Sequence, residues 1–484
     1  ICLDSLTYKG QHSRKLVATG LGIASKEPLN FMISPEIPED QIGNLYEFIY
    51  RSVLLTNKDR FAGIERTTTP DKRSLAYSII EGKGNEKVHV KLTGGKPLAV
   101  SITPLVEAVS QDEICTARED VVLAVDLFQE QVRKNSLFLA WRQGETVVPE
   151  RISSIGNQSS RFFLETQILL TILFMGLQML LFYFLGVYFA IAVIAIQFVF
   201  VLYSNRIIAK MSDWRITKKD PFMHILEYSL TPEIKEAVSK LTKERLLDLK
   251  REVHDETIAQ HGEIDGQKCR EIFSKYGIEC KLEDFTARKV NAYELVEETA
   301  GKFGFPMPEV VVSNTLIPNA AASGPSPSRG VVLMTTGLFV QLQDDEILSV
   351  LGHEFGHLKG RDPLILFGLT SAEFLFRFYV LFPLFPFIFT SYLFILYFVA
   401  AMTVIYFFAK FLEARADLVS AMIIGQPKVL ANALEKIGYQ RLLLERSPSY
   451  RVQEWLSMDA HPPIYFRISR LRNLNTPIKT KHPL

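Results

Sequence analysis

The sequence predicts a multi-pass α-helical membrane protein that carries a mainly helical α+β domain around a metal site and, ahead of it, a soluble N-terminal α+β domain. Two long apolar stretches argue for the membrane part: Thr166–Asn205 has no charged side chain, and residues 364–409 have only Glu373 and Arg377. Composition agrees, since 48% of 484 residues are hydrophobic and the mean hydropathy is positive, above the usual level for a soluble protein of two or three domains. The metal site is read from Leu351-Gly-His-Glu-Phe-Gly-His-Leu-Lys-Gly360, which spaces His353 and His357 four apart with Glu354 between them. Lys plus Arg number 54 against 53 Asp plus Glu, so global charge gives no reason to expect nucleic acid. Cys2, Cys115, Cys269 and Cys280 lack C-x-x-C spacing and read as buried or reduced thiols.

Residues 1–160 read as the soluble α+β domain. Pro35–Tyr50 suggests a helix and Ser74–Ile80 a strand, while Lys87–Thr93, Gly94-Gly95 and Pro97–Thr103 alternate like a hairpin. Ala117–Lys134 follows as an amphipathic helix. His12 and His89 have no neighbour at ligand spacing and are assigned plain surface or sheet roles.

Residues 161–210 are the first membrane hairpin. Forty residues in one straight helix would be about twice the hydrocarbon thickness, so two spans with a turn near Gly186 fit better. Arg151 and Arg161 precede the run, and Arg206, Lys210, Arg215, Lys218 and Lys219 follow it. Basic residues at both ends put both ends in the cytoplasm and the turn outside.

Residues 211–363 begin as a polar, helical connector to about 300, with apolar positions at helical spacing in Pro232–His254 and Val290–Gly304. Pro308–Val312 and Val331–Thr335 then read as strands of a small sheet around Asn319-Ala320-Ala321-Ala322. The small side chains of that run suit close approach of an extended substrate chain to an edge strand; a loop is the other reading.

Asp344–Leu351 forms the first turns of the helix that carries the motif, with acidic residues at the positive end of its dipole and Ile347, Leu348 and Leu351 at core spacing. On such a helix His353 and His357 share a face, so both imidazoles can ligate one zinc ion. Zinc lowers the pKa of a coordinated water, and Glu354 can take the proton as that water attacks a carbonyl. The plain alternative is a surface helix with two histidines. A catalytic site of this kind uses three protein ligands, and Glu413 is chosen as the third.

Residues 364–409 are the second hairpin, turning near Pro383 and Pro386, with Lys359 and Arg361 before it and Lys410 and Arg415 after it. Glu373 and Arg377 lie four apart and can pair within the membrane. The hairpin returns Glu413 to the membrane face of His353 and His357. Asp417, one helical turn on, can hold the free N–H of a ligand histidine, whereas the bland reading of Glu413 is a surface carboxylate pairing with Arg415 or Lys410.

His-Glu-Phe-Gly-His, the Glu413-Ala-Arg-Ala-Asp417 that follows a hairpin, the upstream Asn-Ala-Ala-Ala-Ser-Gly and the late His461-Pro-Pro-Ile-Tyr-Phe-Arg467 together resemble the HtpX branch of membrane gluzincin peptidases, over residues 161–484. That branch shares its catalytic core with the CAAX prenyl endopeptidases. The resemblance implies a zincin (gluzincin) fold whose second part is residues 410–484, with one zinc per chain on His353, His357 and Glu413 and Glu354 as general base. Asp417 would stand behind the ligands, His461 near the site donating to the oxyanion, and Arg467 bracing the C-terminal helix. Two departures stand out: about 160 residues precede the first span, and Asp459-Ala460 stands before His461 where small hydroxyl residues are common.

The function so implied is zinc-dependent endoproteolysis of misfolded membrane or membrane-associated proteins at the cytoplasmic face. The chain would lie in the cell (inner) membrane with four spans, its active site and N-terminal domain cytoplasmic. Protein substrates and the bilayer are its partners. A dedicated CAAX-type processing enzyme is the alternative, against which four spans rather than seven argue, and a non-catalytic metal-bound scaffold is a third reading that the intact Glu354 disfavours.

Overall fold

Alternation in the first hairpin becomes, in the computed structural model, an antiparallel sheet with strand order β1-β5-β4-β3-β2. Its strands are β1 (Leu29–Ile33), β2 (Phe61–Thr69), β3 (Lys72–Glu81), β4 (Asn85–Gly94) and β5 (Leu98–Pro104). The structure describes residues 28–142 and 176–474, apart from positions 38, 58, 70–71, 82–84, 107–108, 135, 231–233, 235–237, 239–240, 283–284, 390 and 446–447. Val88, Val90 and Leu92 of β4 and Leu98, Val100 and Ile102 of β5 turn to one face. There they meet Ile114, Ala117, Val121, Ala124, Val125 and Phe128, the apolar stripe of the helix Gln111–Lys134. These elements belong to one unit, Ile1–Ser136; Leu137–Leu484 is the other, and the boundary read near residue 160 lies outside the described residues. Cys269 and Cys280 are free and buried, as read, whereas Cys115 is disulfide-bonded and departs from the reading of buried or reduced thiols.

In the second unit the polar connector is not simply helical. Among helices such as Lys243–Val253, Gly266–Lys275 and Ala292–Phe303 it contains the strands β7 (Trp214–Ile216), β8 (Phe222–Ser229) and β9 (Phe285–Asn291). With β6 (Ser136–Arg142), β8 and β9 form a three-stranded sheet in the order β6-β8-β9. Both faces of β8 are covered: Met223 and Ile225 join the core that also holds the motif helix, while Leu226 and Tyr228 pack with Phe273 and Leu249. A strand buried on both sides loses the polar-apolar alternation that would reveal it.

The second sheet has the order β11-β12-β10-β7, with β10 (Glu309–Ser313) parallel to β12 (Val331–Thr335) and β11 (Ala320–Ser323) antiparallel to β12 at the edge. Asn319 immediately precedes the edge strand, so the strand reading of this stretch holds for Ala320, Ala321 and Ala322.

Among the described residues three helices are long and apolar enough to cross a membrane: Gly176–Leu202, Asp362–Leu384 and Leu393–Ile423. The first is not straight. Gly186 has φ +54° and opens a 3-10 turn to Tyr188, and Leu181 comes back to pack with Phe189 and Val193. From there Phe189 packs edge-on to Phe378 and Phe198 stacks on Phe367, so Phe189–Leu202 runs antiparallel to Asp362–Leu384. Residues 161–175, the expected first arm of this hairpin, lie outside the described residues. Within the second hairpin Arg377 pairs with Glu373 at 3.1 Å, and Tyr397 of the return helix donates to the same carboxylate at 3.0 Å. Two charges in an apolar layer are thereby neutralised and hydrogen-bonded.

Candidate active site

The helix Asp344–Gly360 is set up by its own ends. Glu346 accepts from the backbone N–H of Gln343 at 2.9 Å and is held by Lys436 at 2.8 Å, and Arg361 closes the far end in the left-handed region at φ +54°. Ile347, Leu351 and Phe355 fix one face in the core. Gly352, Gly356 and Gly360 make another face bare, and the return helix Leu393–Ile423 lies directly on it. A Cβ at Gly356 would sit 3.1 Å from the backbone of Ala416, and one at Gly352 would sit 2.4 Å from Ile424. The glycines therefore set how close the two helices come, and that approach carries Glu413 to the histidines.

His353, His357 and Glu413 each offer a ligand atom within 4.8 Å of the others. The two Nε2 atoms are 3.1 Å apart, Glu413 Oε1 is 3.3 Å from His357 Nε2, and Glu413 Oε2 is 3.4 Å from His353 Nε2. A tetrahedral ion with bonds of about 2.0–2.1 Å would separate its ligand atoms by roughly 3.3–3.4 Å, close to the separation of the two Nε2 atoms and of each from its nearer Glu413 oxygen, so the three residues can converge on such an ion. Glu413 Oε2 is buried without a hydrogen-bond partner among the described residues, as a ligand oxygen would be in the protein alone. The cations offered by the surface-pair reading of Glu413 are engaged elsewhere: Lys410 donates to the carbonyls of Trp455 and Ser457, and Arg415 holds Asp362.

Each histidine has its outer nitrogen tied to a carboxylate. His353 Nδ1 is 2.9 Å from Asp417 Oδ1, which was anticipated in kind, and His357 Nδ1 is 2.8 Å from Asp362 Oδ2, which was not. Asp362 is itself gripped through both oxygens by Arg415 at 2.6 and 2.7 Å. The signal for it was present, since an Asp at the start of the next helix, five residues after His357, answers the question of where the second imidazole N–H goes. Burial alone would lower both imidazole pKa values. Asp417 and Glu413 outweigh it for His353, and Asp362 and Glu413 push His357 up to about 10. A metal must displace protons from this pair, so its affinity falls as pH falls.

Arg467 does more than brace the C-terminal helix Ile464–Arg472. It is buried, donates from Nε and Nη2 to Asp417 at 2.8 and 2.7 Å, and lies 3.5 Å from Glu413 Oε2. The flanking carboxylates hold its guanidinium firmly charged despite burial. Glu354, half-buried, accepts the outward N–H of Ala322 at 3.1 Å, so the edge strand β11 runs past the carboxylate. His461 Nε2 reaches to 3.7 Å from Glu413 Oε1. The Glu354 carboxylate with an edge strand beside it and the three convergent ligand atoms of His353, His357 and Glu413 are an arrangement suited to metal-assisted hydrolysis of an extended chain.

Residues 287–475 match peptidase family M48. A protease HtpX homologue of Tropheryma whipplei (strain Twist) is 32% identical over 208 residues, covering 38% of this chain and 72% of that protein. The protease HtpX homologue of Gemmatimonas aurantiaca is 32% identical over 222 residues, covering 38% and 75%. A crystal structure of S. mikatae Ste24p is 18% identical with a TM-score of 0.30, covering 37% of this chain and 49% of that one.

Proposed function

We propose a function on one premise: the chain belongs to peptidase family M48, among the HtpX-like membrane peptidases. Its metal is zinc, held by His353, His357 and Glu413. Bound there, zinc supplies Lewis acidity toward a carbonyl and acidifies a water. Glu354 takes the proton of the attacking water and passes it to the leaving amine. Asp417 and Asp362 orient the ligand imidazoles, Arg467 balances the buried carboxylates, and His461 hydrogen-bonds the oxygen of the attacked carbonyl. Asn319 and Ala320–Ala322 align the substrate backbone, which makes cleavage tolerant of side-chain identity. The observation that carries the reading is the Ala322 N–H on Glu354, because it puts an open strand edge against the base.

Substrates read through their backbones suit quality control: misfolded membrane or membrane-associated proteins cut at the cytoplasmic face. A profile of cleavage sites from purified enzyme should contain many sites in unfolded membrane proteins and casein, with no requirement for a prenylated cysteine. Cleavage confined to prenylated C-terminal peptides would replace this reading with the CAAX-type one.

The layout is proposed as four spans in the cell (inner) membrane with residues 1–160 and the catalytic part both cytoplasmic. What supports it is the basic flank of each hairpin and the left-handed break at Gly186. The competing layout, one span through 176–202 with the N-terminal unit outside, is favoured by the disulfide at Cys115. Single cysteines in a background free of the native four separate them in intact cells. Four spans expect an outside-only reagent to reach Gly186→Cys and to miss Lys91→Cys and Ser313→Cys. Labelling at Lys91 but not Gly186 would establish three.

A further inference from the structure

We propose that Asp459 is a positioning residue that aims the His461 imidazole at the substrate side of the metal ligands. The proposal deepens the peptidase reading above and rests on it. His461 is 52% exposed, so packing does not fix its ring. Asp459 does. Its Oδ1 accepts both the backbone N–H of His461 at 2.8 Å and Nδ1–H at 3.0 Å, and the imidazolium form, in which both ring nitrogens donate, then presents Nε2–H toward Glu413 Oε1, 3.7 Å away.

Asp459 is held from its other side. Oδ2 accepts from Arg441 at 2.7 Å, and Arg441 also binds Glu454 on the preceding helix Pro448–Leu456. Lys410 ties the same loop to the metal site: from one turn before Glu413 it donates to the carbonyl of Trp455 at 3.2 Å and of Ser457 at 2.7 Å. The helix that brings the third ligand thus anchors the loop that brings His461, and Asp459 transmits that anchoring to the ring. Preorganisation of this sort matters most for a side chain with little packing of its own.

The test compares Asp459→Ala, Asp459→Asn, His461→Ala and Asp459→Ala/His461→Ala in the full chain, using casein and measuring kcat, KM and bound zinc on each preparation. Asp459→Ala should lower kcat on the order of tenfold with KM and zinc content unchanged, the lower end of what an outer hydrogen-bond partner contributes. Asp459→Asn, which keeps an acceptor for Nδ1–H, should stay within threefold of wild type. In the His461→Ala background, removing Asp459 should change kcat by less than twofold, because its route of action is already gone. Equal losses in both backgrounds, or Asp459→Ala within threefold of wild type, would overturn the proposal and leave Asp459 a structural loop residue. If zinc-loaded wild type cleaves nothing, the peptidase reading itself falls and takes this proposal with it; the wild-type control tells the two failures apart.

Discussion

Glu354→Gln is expected to cut kcat by about 10²–10⁴-fold while the metal stays bound, the range over which a positioned proton acceptor contributes. Gln is close to Glu in size and can still meet the Ala322 N–H through its carbonyl oxygen, so the 3.1 Å contact that holds the side chain against β11 survives. Three potential ligand atoms and the carboxylates behind them are also untouched. What disappears is the ability to accept a proton from the attacking water. Metal analysis and casein cleavage on one preparation check it: full metal with activity within tenfold of wild type would remove Glu354 from the role of base, and lost metal would mean that the substitution reaches the ligands.

Legibility of this chain in its sequence followed how local each signal is. The histidine pair was readable because a four-residue step on a helix is a local fact, and the apolar runs because hydropathy needs no partner. Glu413 took one step of topology, a hairpin that returns to its starting face. The glycines at 352, 356 and 360 went unread although they interleave the motif, since what they do is visible only against Ala416 and Ile424. Asp362 went unread, two residues ahead of the second hairpin, and is the partner of His357. Strands β8 and β9 were missed in a connector read as helical, because β8 lies between two cores and shows no alternation. Asp459 shows the limit most plainly: its departure from the resembling pattern was noticed, but its bonds to Arg441 and His461 needed the fold.

Glu413→Ala is expected to give folded, membrane-inserted protein with little bound zinc and no measurable cleavage. Glu413 is 9% exposed and sits where the return helix crosses the glycine face of the motif helix, so its carboxylate is aimed by backbone packing rather than by a flexible surface contact. Its removal leaves two imidazoles and water, one protein ligand fewer than a catalytic zinc site uses. Removing Asp417 or Asp362 leaves all three ligands in place and costs only their orientation, typically 10 to 100-fold in metal affinity or activity. A carboxylate that merely paired with a surface cation would be worth at most about 1 kcal/mol, and its loss would leave the metal where it was. The three roles therefore predict three different zinc contents after dialysis against a mild chelator. Near-complete loss in Glu413→Ala, with partial loss in Asp417→Ala and Asp362→Ala, is the order expected; full occupancy in Glu413→Ala would mean that the third ligand is another residue, and the contact of Glu413 Oε1 with His461 Nε2, 3.7 Å away, makes His461 the one to examine next.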